Sequence, residues 1–155
     1  MIITSSMAFA GGYEVGDKAG DFTLKNVDGK MVSLTDYPEA KGFIVIFTCN
    51  HCPYSKLYED RIIALDANYR DKGFPVIAIN PNDPAVQPED SYPLMQVRAR
   101  EKGFTFPYLF DETQDVARAY GATRTPHVFI LSMDEGDLIV KYIGAIDNNS
   151  KSAAE

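Results

Sequence analysis

Two uninterrupted apolar segments, residues 43–47 and residues 74–79, lie in the first 80 residues of the chain. Short apolar runs rich in Val and Ile are typical of strands that are buried on both faces of a sheet. Between them, residues 53–69 carry apolar side chains close to helical spacing among charged ones, and Gly73 follows. The pattern therefore predicts a strand, a helix that stops near Gly73, and a second strand.

A strand–turn–strand pattern occurs on either side of this unit. Residues 22–34 contain Asp28-Gly29, a dipeptide that favours a tight hairpin turn. Residues 127–143 contain a second polar turn at residues 134–137. A strand–helix–strand unit combined with antiparallel hairpins predicts the α/β class, with one mixed sheet flanked by helices.

The middle of the chain is less regular. Residues 80–88 are rich in Pro, Asn and Asp and are predicted to form a loop. A helix is expected from about residue 90 to residue 102, a short strand at residues 106–110 and a short helix at residues 112–120.

Composition and charge narrow the class of protein. The chain has 155 residues, of which 45% are hydrophobic and 24% are charged, values typical of one globular domain. Its net charge of −7 argues against a nucleic-acid partner, because binding to phosphates needs clustered Lys and Arg. The sequence contains no apolar run of the roughly 20 residues that a transmembrane helix needs.

The two ends of the chain differ from its middle. Residues 8–12, Ala-Phe-Ala-Gly-Gly, have the small-x-small form of a signal-peptidase site, although no basic segment precedes them. We expect residues 1–12 to be the remnant of a signal peptide or a disordered N-terminus, residues 13–149 to form one folded domain, and residues 150–155 to be a truncated C-terminal tail. The expected location is periplasmic or otherwise extracytoplasmic, with the cytoplasm as the alternative.

Candidate chemistry lies where the strand at residues 43–47 meets the following helix, in the motif Cys49-Asn50-His51-Cys52. This spacing allows two sulfur atoms to form a disulfide. The N–H groups and the dipole of a helix start stabilise a thiolate on Cys49, and a thiolate is the species that attacks a disulfide. Cys52 then resolves the mixed disulfide. A Cys-x-x-Cys motif next to a strand and a helix is a known sign of thioredoxin-like redox chemistry.

Zinc binding and a purely structural role are the other interpretations of two nearby cysteines. A structural zinc site needs four ligands, so a Cys₂His₂ site is formally possible but would need both cysteines and both histidines of the chain. His51 lies between the cysteines and is poorly placed to share a tetrahedral metal with them. We therefore predict no metal, and no cofactor other than a redox-active disulfide between Cys49 and Cys52.

The chain also carries Thr125-Pro126 directly before the strand predicted from His127. In thioredoxin-like proteins a cis-proline at this point packs beside the Cys-x-x-Cys loop, and the residue before it binds the substrate. Thr125 and Pro126 are therefore candidate substrate-binding residues, and we expect a cis peptide bond between them although most X-Pro bonds are trans.

The combination of motifs resembles a peroxiredoxin-like branch of the thioredoxin superfamily, related to the alkyl hydroperoxide reductase/thiol-specific antioxidant group. The stretches that carry the resemblance are Phe-Thr-Cys-Asn-His-Cys-Pro-Tyr at residues 47–54, Ile-Asn-Pro-Asn-Asp at 79–83, Phe-Pro-Tyr-Leu-Phe-Asp at 106–111, Ala-Tyr-Gly-Ala at 119–122, Thr-Pro at 125–126 and Gly-Ala-Ile-Asp-Asn-Asn at 144–149.

The resemblance implies a thioredoxin fold with an N-terminal β-hairpin, an insertion at residues 80–103 before the second half, and antioxidant activity in cell redox homeostasis. It implies Cys49 and Cys52 as catalytic residues, with Thr48, His51 and Pro53 modulating them. It also implies protein thiols or disulfides, or an electron-donating reductase, as partners. In relatives of this branch the chain continues into a further C-terminal helix, and we expect this helix to be missing or truncated in this sequence.

A thiol peroxidase is the alternative enzyme. A peroxidatic cysteine is typically preceded three residues earlier by Thr or Ser, and Cys49 holds that position relative to Cys52. Arg124 is a candidate for binding peroxide or another substrate, since it directly precedes Thr125. Because the hydroxyl is replaced by a thiol, the residues favour disulfide exchange over peroxide reduction.

Two further roles concern the histidines and the acidic residues. His51 is predicted to lower the pKa of Cys49 below the free value of about 8.5.

A copper chaperone that binds the metal through Cys49, Cys52 and His127 is a less favoured function. The acidic pair Glu59-Asp60 is expected on the solvated face of the first helix.

Overall fold

The computed structural model describes residues 12–50 and 53–146, with the side chains of residues 53–56 excepted. Seven strands and three α-helices occur in these ranges. The strands are β1 (Thr23–Asn26), β2 (Met31–Ser33), β3 (Gly42–Phe47), β4 (Val76–Asn80), β5 (Tyr108–Phe110), β6 (His127–Asp134) and β7 (Asp137–Gly144); the helices are α1 (Pro53–Tyr69), α2 (Tyr92–Lys102) and α3 (Asp115–Tyr120).

The described strands form one sheet in the order β2-β1-β5-β4-β3-β6-β7. The central strands β3, β4 and β5 are parallel, and the strands on both sides are antiparallel to their neighbours. The predicted mixed sheet and both predicted hairpins are therefore confirmed. In the second hairpin, Glu135 and Gly136 both have positive φ, 51° and 86°, as a two-residue turn between twisted strands requires.

A hydrophobic core lies on each face of the sheet. On one face, Ile44 and Ile46 of β3 pack with Ile62 of α1 and Met95 of α2. On the other, Phe47 and its neighbours pack with α3 and with the segment before β1. Because β3 is buried on both faces, its apolar residues are continuous in the sequence.

The prediction that a helix begins near residue 112 was wrong by three residues. Gln114 has a φ of 61°, and α3 starts only at Asp115. The cause is Asp111, whose buried carboxylate accepts the backbone N–H groups of Val116 and Ala117. The turn before the helix brings these donors to Asp111, and burial raises the pKa of this carboxyl above its usual value.

The expectation that both acidic residues of the pair lie on a solvated face was wrong for Glu59. Its side chain is only 3% exposed and accepts two hydrogen bonds of 2.7 Å from the guanidinium of Arg98 on α2. Asp60 is exposed as expected. The bidentate pair links α1 to the predicted insertion, which consists of an irregular loop, a short 3₁₀ turn (Pro88–Asp90) and α2.

Several predictions concern the ends of the chain. Residues 1–11, predicted to be a signal-peptide remnant or a disordered N-terminus, lie outside the described residues, and so do residues 150–155, predicted to be a truncated C-terminal tail. No helix in the described ranges has the length and apolar character needed to cross a membrane.

Candidate redox site

The pairing of β3 with β6 determines where Cys49 lies. Phe47 at the end of β3 is opposite His127 at the start of β6, since the two strands are antiparallel. Thr48 continues the pairing towards β4 with an N–H bond of 2.8 Å to the carbonyl of Ile79. Cys49 therefore emerges beside the loop that leads into β6.

The geometry brings Cys49 and Thr125 together. Cys49 is 2% exposed, and its Sγ lies 3.4 Å from Thr125 Oγ1. Pro126 is buried next to it, and the expected cis bond between Thr125 and Pro126 is confirmed. Two sequence motifs that are 76 residues apart thus form one site.

The helix predicted to follow the motif begins at Pro53. Proline is favoured at the first position of a helix because its missing N–H would have no intrahelical partner there. His51 and Cys52 lie outside the described residues, so their predicted roles stay predictions.

Asn50 is held by three hydrogen bonds. Its backbone N–H donates to Asp90 Oδ1 over 2.7 Å, and its Nδ2 donates to the carbonyl of Glu89 over 3.0 Å. Its Oδ1 accepts the hydroxyl of Tyr108 over 2.8 Å. The insertion and β5 therefore fix the residue that directly follows Cys49.

Asp90 is the centre of this arrangement, and sequence reasoning missed it as a site residue. Its side chain is fully buried, and its Oδ2 accepts a 2.6 Å hydrogen bond from Asn82 Nδ2. Asn80, the last residue of β4, donates to the backbone carbonyl of Asp90 over 3.0 Å. In the sequence, Asp90 follows a polar run that predicts a loop and stands at the predicted start of a helix, where nothing indicates that its carboxylate is buried.

Tyr108 remains a hydrogen-bond donor in this environment. Its ring is buried, and burial together with the negative charges of Asp90 and Glu59 raises the pKa of its hydroxyl well above the usual value. The raised pKa favours the protonated hydroxyl, which is the form that donates to Asn50 Oδ1.

Thr48, predicted to modulate the cysteines, is buried with its hydroxyl beside the motif. This hydroxyl has no hydrogen-bond partner in the part of the chain that the structure describes. A buried hydroxyl without a partner is costly, and the modulating role predicted for Thr48 stays a prediction.

An open groove of about 800 Å³ begins at Thr125. Arg124 and Arg118 line it with Asn82 and Gln114, and Arg124 is exposed. The predicted substrate-binding residues Thr125 and Arg124 thus lie together in one groove, and the hydroxyl of Thr125 contacts the sulfur of Cys49.

His127 faces the core below the groove. Its ring lies 4.7 Å from that of Phe129, and its Nδ1 accepts the N–H of Thr123 over 3.4 Å. The described residues contain no cluster of three or more side chains suited to bind a metal ion. Burial, and secondarily the positive charge of Arg124, lowers the pKa of His127 below its usual value.

The lowered pKa of His127 predicts an acid-sensitive component of stability. The folded protein binds fewer protons at this residue than the unfolded chain does, so the stabilisation is complete above the unfolded pKa of about 6.5. It is lost as the pH falls through the folded pKa. Between pH 7.5 and pH 5, His127→Asn should lose less unfolding free energy than the parent protein, as measured by urea denaturation. Parallel pH profiles for the two proteins would contradict this assignment.

Solved structures define the class of fold. The thioredoxin domain of a thiol-disulfide oxidoreductase from Bacteroides vulgatus superposes with a TM-score of 0.67 at 19% identity, covering 86% of this chain and 91% of that one. A conserved uncharacterised protein of Geobacillus kaustophilus superposes with a TM-score of 0.82 at 41% identity, covering 88% of this chain and 71% of that one. The predicted thioredoxin fold is thereby confirmed.

The family is shown by the sequence. The model of the AhpC/TSA family matches residues 15–142, and the chain belongs to this family. The thiol-disulfide oxidoreductase ResA of Halalkalibacterium halodurans is 24% identical over 84% of this chain and 69% of its own length. A Mycobacterium tuberculosis protein named as a peroxiredoxin is 30% identical over 69% of this chain and 63% of its own length. The predicted class of enzyme, a thiol–disulfide oxidoreductase, is confirmed by these similarities.

Proposed function

We propose that the chain exchanges thiols and disulfides through a dithiol formed by Cys49 and Cys52. The observation that carries this proposal is the position of Cys49. Its sulfur contacts Thr125 and lies shortly before the start of α1, and Thr125 lines the groove. The sulfur is nearly buried and therefore shielded from bulk solvent, and a substrate bound in the groove would lie against the residue that contacts it.

The exchange proceeds in two balanced steps. The Cys49 thiolate attacks one sulfur of a substrate disulfide, the substrate S–S bond breaks, and the leaving thiolate takes up a proton. The Cys52 thiolate then attacks Cys49 Sγ, which forms the Cys49–Cys52 disulfide and releases the second substrate sulfur as a thiol. Two electrons pass from the protein to the substrate, and the reverse sequence oxidises a substrate dithiol.

The groove supplies the substrate contacts. Thr125 presents its hydroxyl to the reacting sulfur, and Arg124 offers an exposed positive charge beside it. Protein thiols and disulfides, or an electron-donating reductase, are the proposed partners, because an extended chain fits an open groove better than a closed pocket does. The site residues Thr48, His51 and Pro53 are proposed to adjust the reactivity of the dithiol. No metal and no further cofactor enter the reaction.

An extracytoplasmic location is proposed from the small-x-small pattern of residues 8–12. Disulfide exchange as a steady function suits an oxidising compartment. The test is cell fractionation of the full-length protein in its host. Recovery of the protein with periplasmic or extracellular markers supports the proposal, and recovery with cytoplasmic markers contradicts it.

The catalytic proposal is tested by a redox titration of the wild-type protein against glutathione, with insulin reduction as the activity assay. We expect one two-electron transition, read by alkylation and mass spectrometry, and insulin precipitation faster than with dithiothreitol alone. If the two cysteines never join under mild oxidants, the proposal is wrong.

Peroxide reduction is the second candidate, favoured by the similarity to the mycobacterial protein. The same purified protein is assayed for hydrogen peroxide consumption with dithiothreitol as the reductant. Disulfide exchange predicts consumption no faster than ordinary thiol oxidation. Catalytic consumption in the absence of insulin reduction would make peroxidase the better assignment.

A further inference from the structure

We infer that Asp90 is a positioning residue of the redox site, whose carboxylate orients the peptide between Cys49 and Asn50 and makes the Cys49 thiolate less stable. The inference rests on the proposed function only in that it takes Cys49 as the attacking sulfur. It assigns a role in the site to the insertion between β4 and α2.

The geometry shows a built contact. Asp90 is fully buried, and each of its two carboxylate oxygens accepts a hydrogen bond. The donors are the N–H of Asn50 at 2.7 Å and the Nδ2 of Asn82 at 2.6 Å. Two acceptor oxygens facing N–H donors suit an ionised carboxylate, and charge-assisted hydrogen bonds of this length are strong.

The hydrogen bond to Asp90 takes the backbone N–H of Asn50 away from the sulfur of Cys49. An N–H just after a cysteine at a helix start normally helps to stabilise the thiolate. Here the N–H of Asn50 donates to Asp90 instead. The carboxylate also adds a negative charge near a position where a second one develops, and like charges disfavour ionisation. Both effects destabilise the Cys49 thiolate.

Among the side chains that the structure describes, the other charged groups near the motif do not cancel this effect. Glu59 and Asp60 on α1 are matched by Arg98 and Lys102 on α2, so this cluster has no net charge. Arg124 and His127 approach from the β6 side, where Arg124 is exposed and burial lowers the pKa of His127.

The tyrosine and the remaining histidine complete the surroundings. The hydroxyl of Tyr108 is neutral because its pKa is well above the usual value. His51 lies outside the described residues, and its predicted effect on the Cys49 thiolate is opposite in sign to that of Asp90.

The expected consequence is a less oxidising protein. The stability of the thiolate in the reduced form sets the balance between dithiol and disulfide. The helix start and His51 are expected to stabilise the Cys49 thiolate, and Asp90 acts against both. Asp90 therefore makes the reduced form less favourable relative to the disulfide. The insertion thereby limits how strongly the site oxidises its partners.

The test measures the pH midpoint of Cys49 alkylation in the reduced full-length protein, with the modified cysteine located by fragmentation mass spectrometry. Asp90→Asn should lower the midpoint by about one pH unit, the size expected for one nearby like charge. Asp60→Asn is the matched control, since it removes one negative charge from an exposed position on α1. Its midpoint should equal that of the parent protein.

Two further variants separate charge from packing. Tyr108→Phe removes the hydroxyl that holds Asn50 without changing any charge, and its midpoint should stay close to the parent value. Asn82→Ala removes the side-chain donor that partly offsets the negative charge of the Asp90 carboxylate. The alkylation midpoint of this variant should therefore rise. A merely structural Asp90 would give equal shifts for Asp90→Asn and Tyr108→Phe.

The inference is overturned if Asp90→Asn leaves the midpoint unchanged or raises it. If Asp90→Asn does not fold, Asn82→Ala decides, and an unchanged midpoint there overturns the inference. The alkylation midpoint is read whether or not the protein reduces insulin. Failure of the proposed function is therefore distinguishable from failure of the role assigned to Asp90.

Discussion

Cys49→Ser is expected to abolish insulin reduction, lowering the rate by roughly a thousandfold or more, as loss of an attacking nucleophile does in other enzymes. A serine hydroxyl is not ionised near neutral pH and cannot form the mixed disulfide. The variant should fold, since Ser is slightly smaller than Cys and the nearby Thr125 hydroxyl can hydrogen-bond to it. The measurement is the initial rate of insulin precipitation, with thermal unfolding as the check on the fold.

Cys52→Ser is the informative partner of this variant. Its Cys49 remains able to attack a disulfide, but the mixed disulfide cannot be resolved within the protein. We expect a covalent adduct of one substrate chain per protein molecule, detected by mass spectrometry and released by dithiothreitol. If Cys52→Ser loses the ability to form an adduct while Cys49→Ser retains it, the order of attack is the reverse of the one proposed.

The fold was predictable because its signals are local. The apolar run of β3, the turn residues of the two hairpins and the spacing of α1 are each contained in a few neighbouring residues. Local signals alone do not predict that Cys49 lies beside Thr125. That prediction also requires the strand after Thr125-Pro126 to pair with β3, and the family resemblance implied this pairing.

The missed residues all depend on contacts between distant segments. The carboxylate of Asp90 contacts Asn50, 40 positions earlier in the chain, and Glu59 is buried only because Arg98 lies 39 positions later. In the sequence, both acidic residues look like ordinary surface charges. A buried carboxylate is stable only when its donors are in place, and no periodicity of the chain reveals such donors. The start of α3 was missed for a local reason, because Asp111 accepts N–H groups five and six positions later, across the turn at Gln114.

The second large effect is on stability, at Gly42, the first residue of β3. Gly42 is buried opposite Ser132 of β6, and a Cβ atom at this position would overlap the carbonyl oxygen of Leu131 and the ring of Phe74. The carbonyl belongs to a paired strand and cannot move without breaking the pairing. The absence of a side chain therefore lets β6 and the chain entering β4 approach β3 closely.

Gly42→Ala should therefore lower the free energy of unfolding by about 3 kcal/mol, the upper range for overpacking in a core. For a domain of this size the melting temperature should fall by roughly 10 °C, as measured by calorimetry. Gly20→Ala is the matched control, because its Cβ would meet only the Tyr13 hydroxyl at 3.7 Å, an ordinary contact, and should change stability by less than about 0.5 kcal/mol. Gly42 lies at the end of β3 away from Cys49, so the alkylation midpoint of the folded variant should not move. Equal melting temperatures for the two glycine variants would mean that β3 and β6 are further apart than the structure places them.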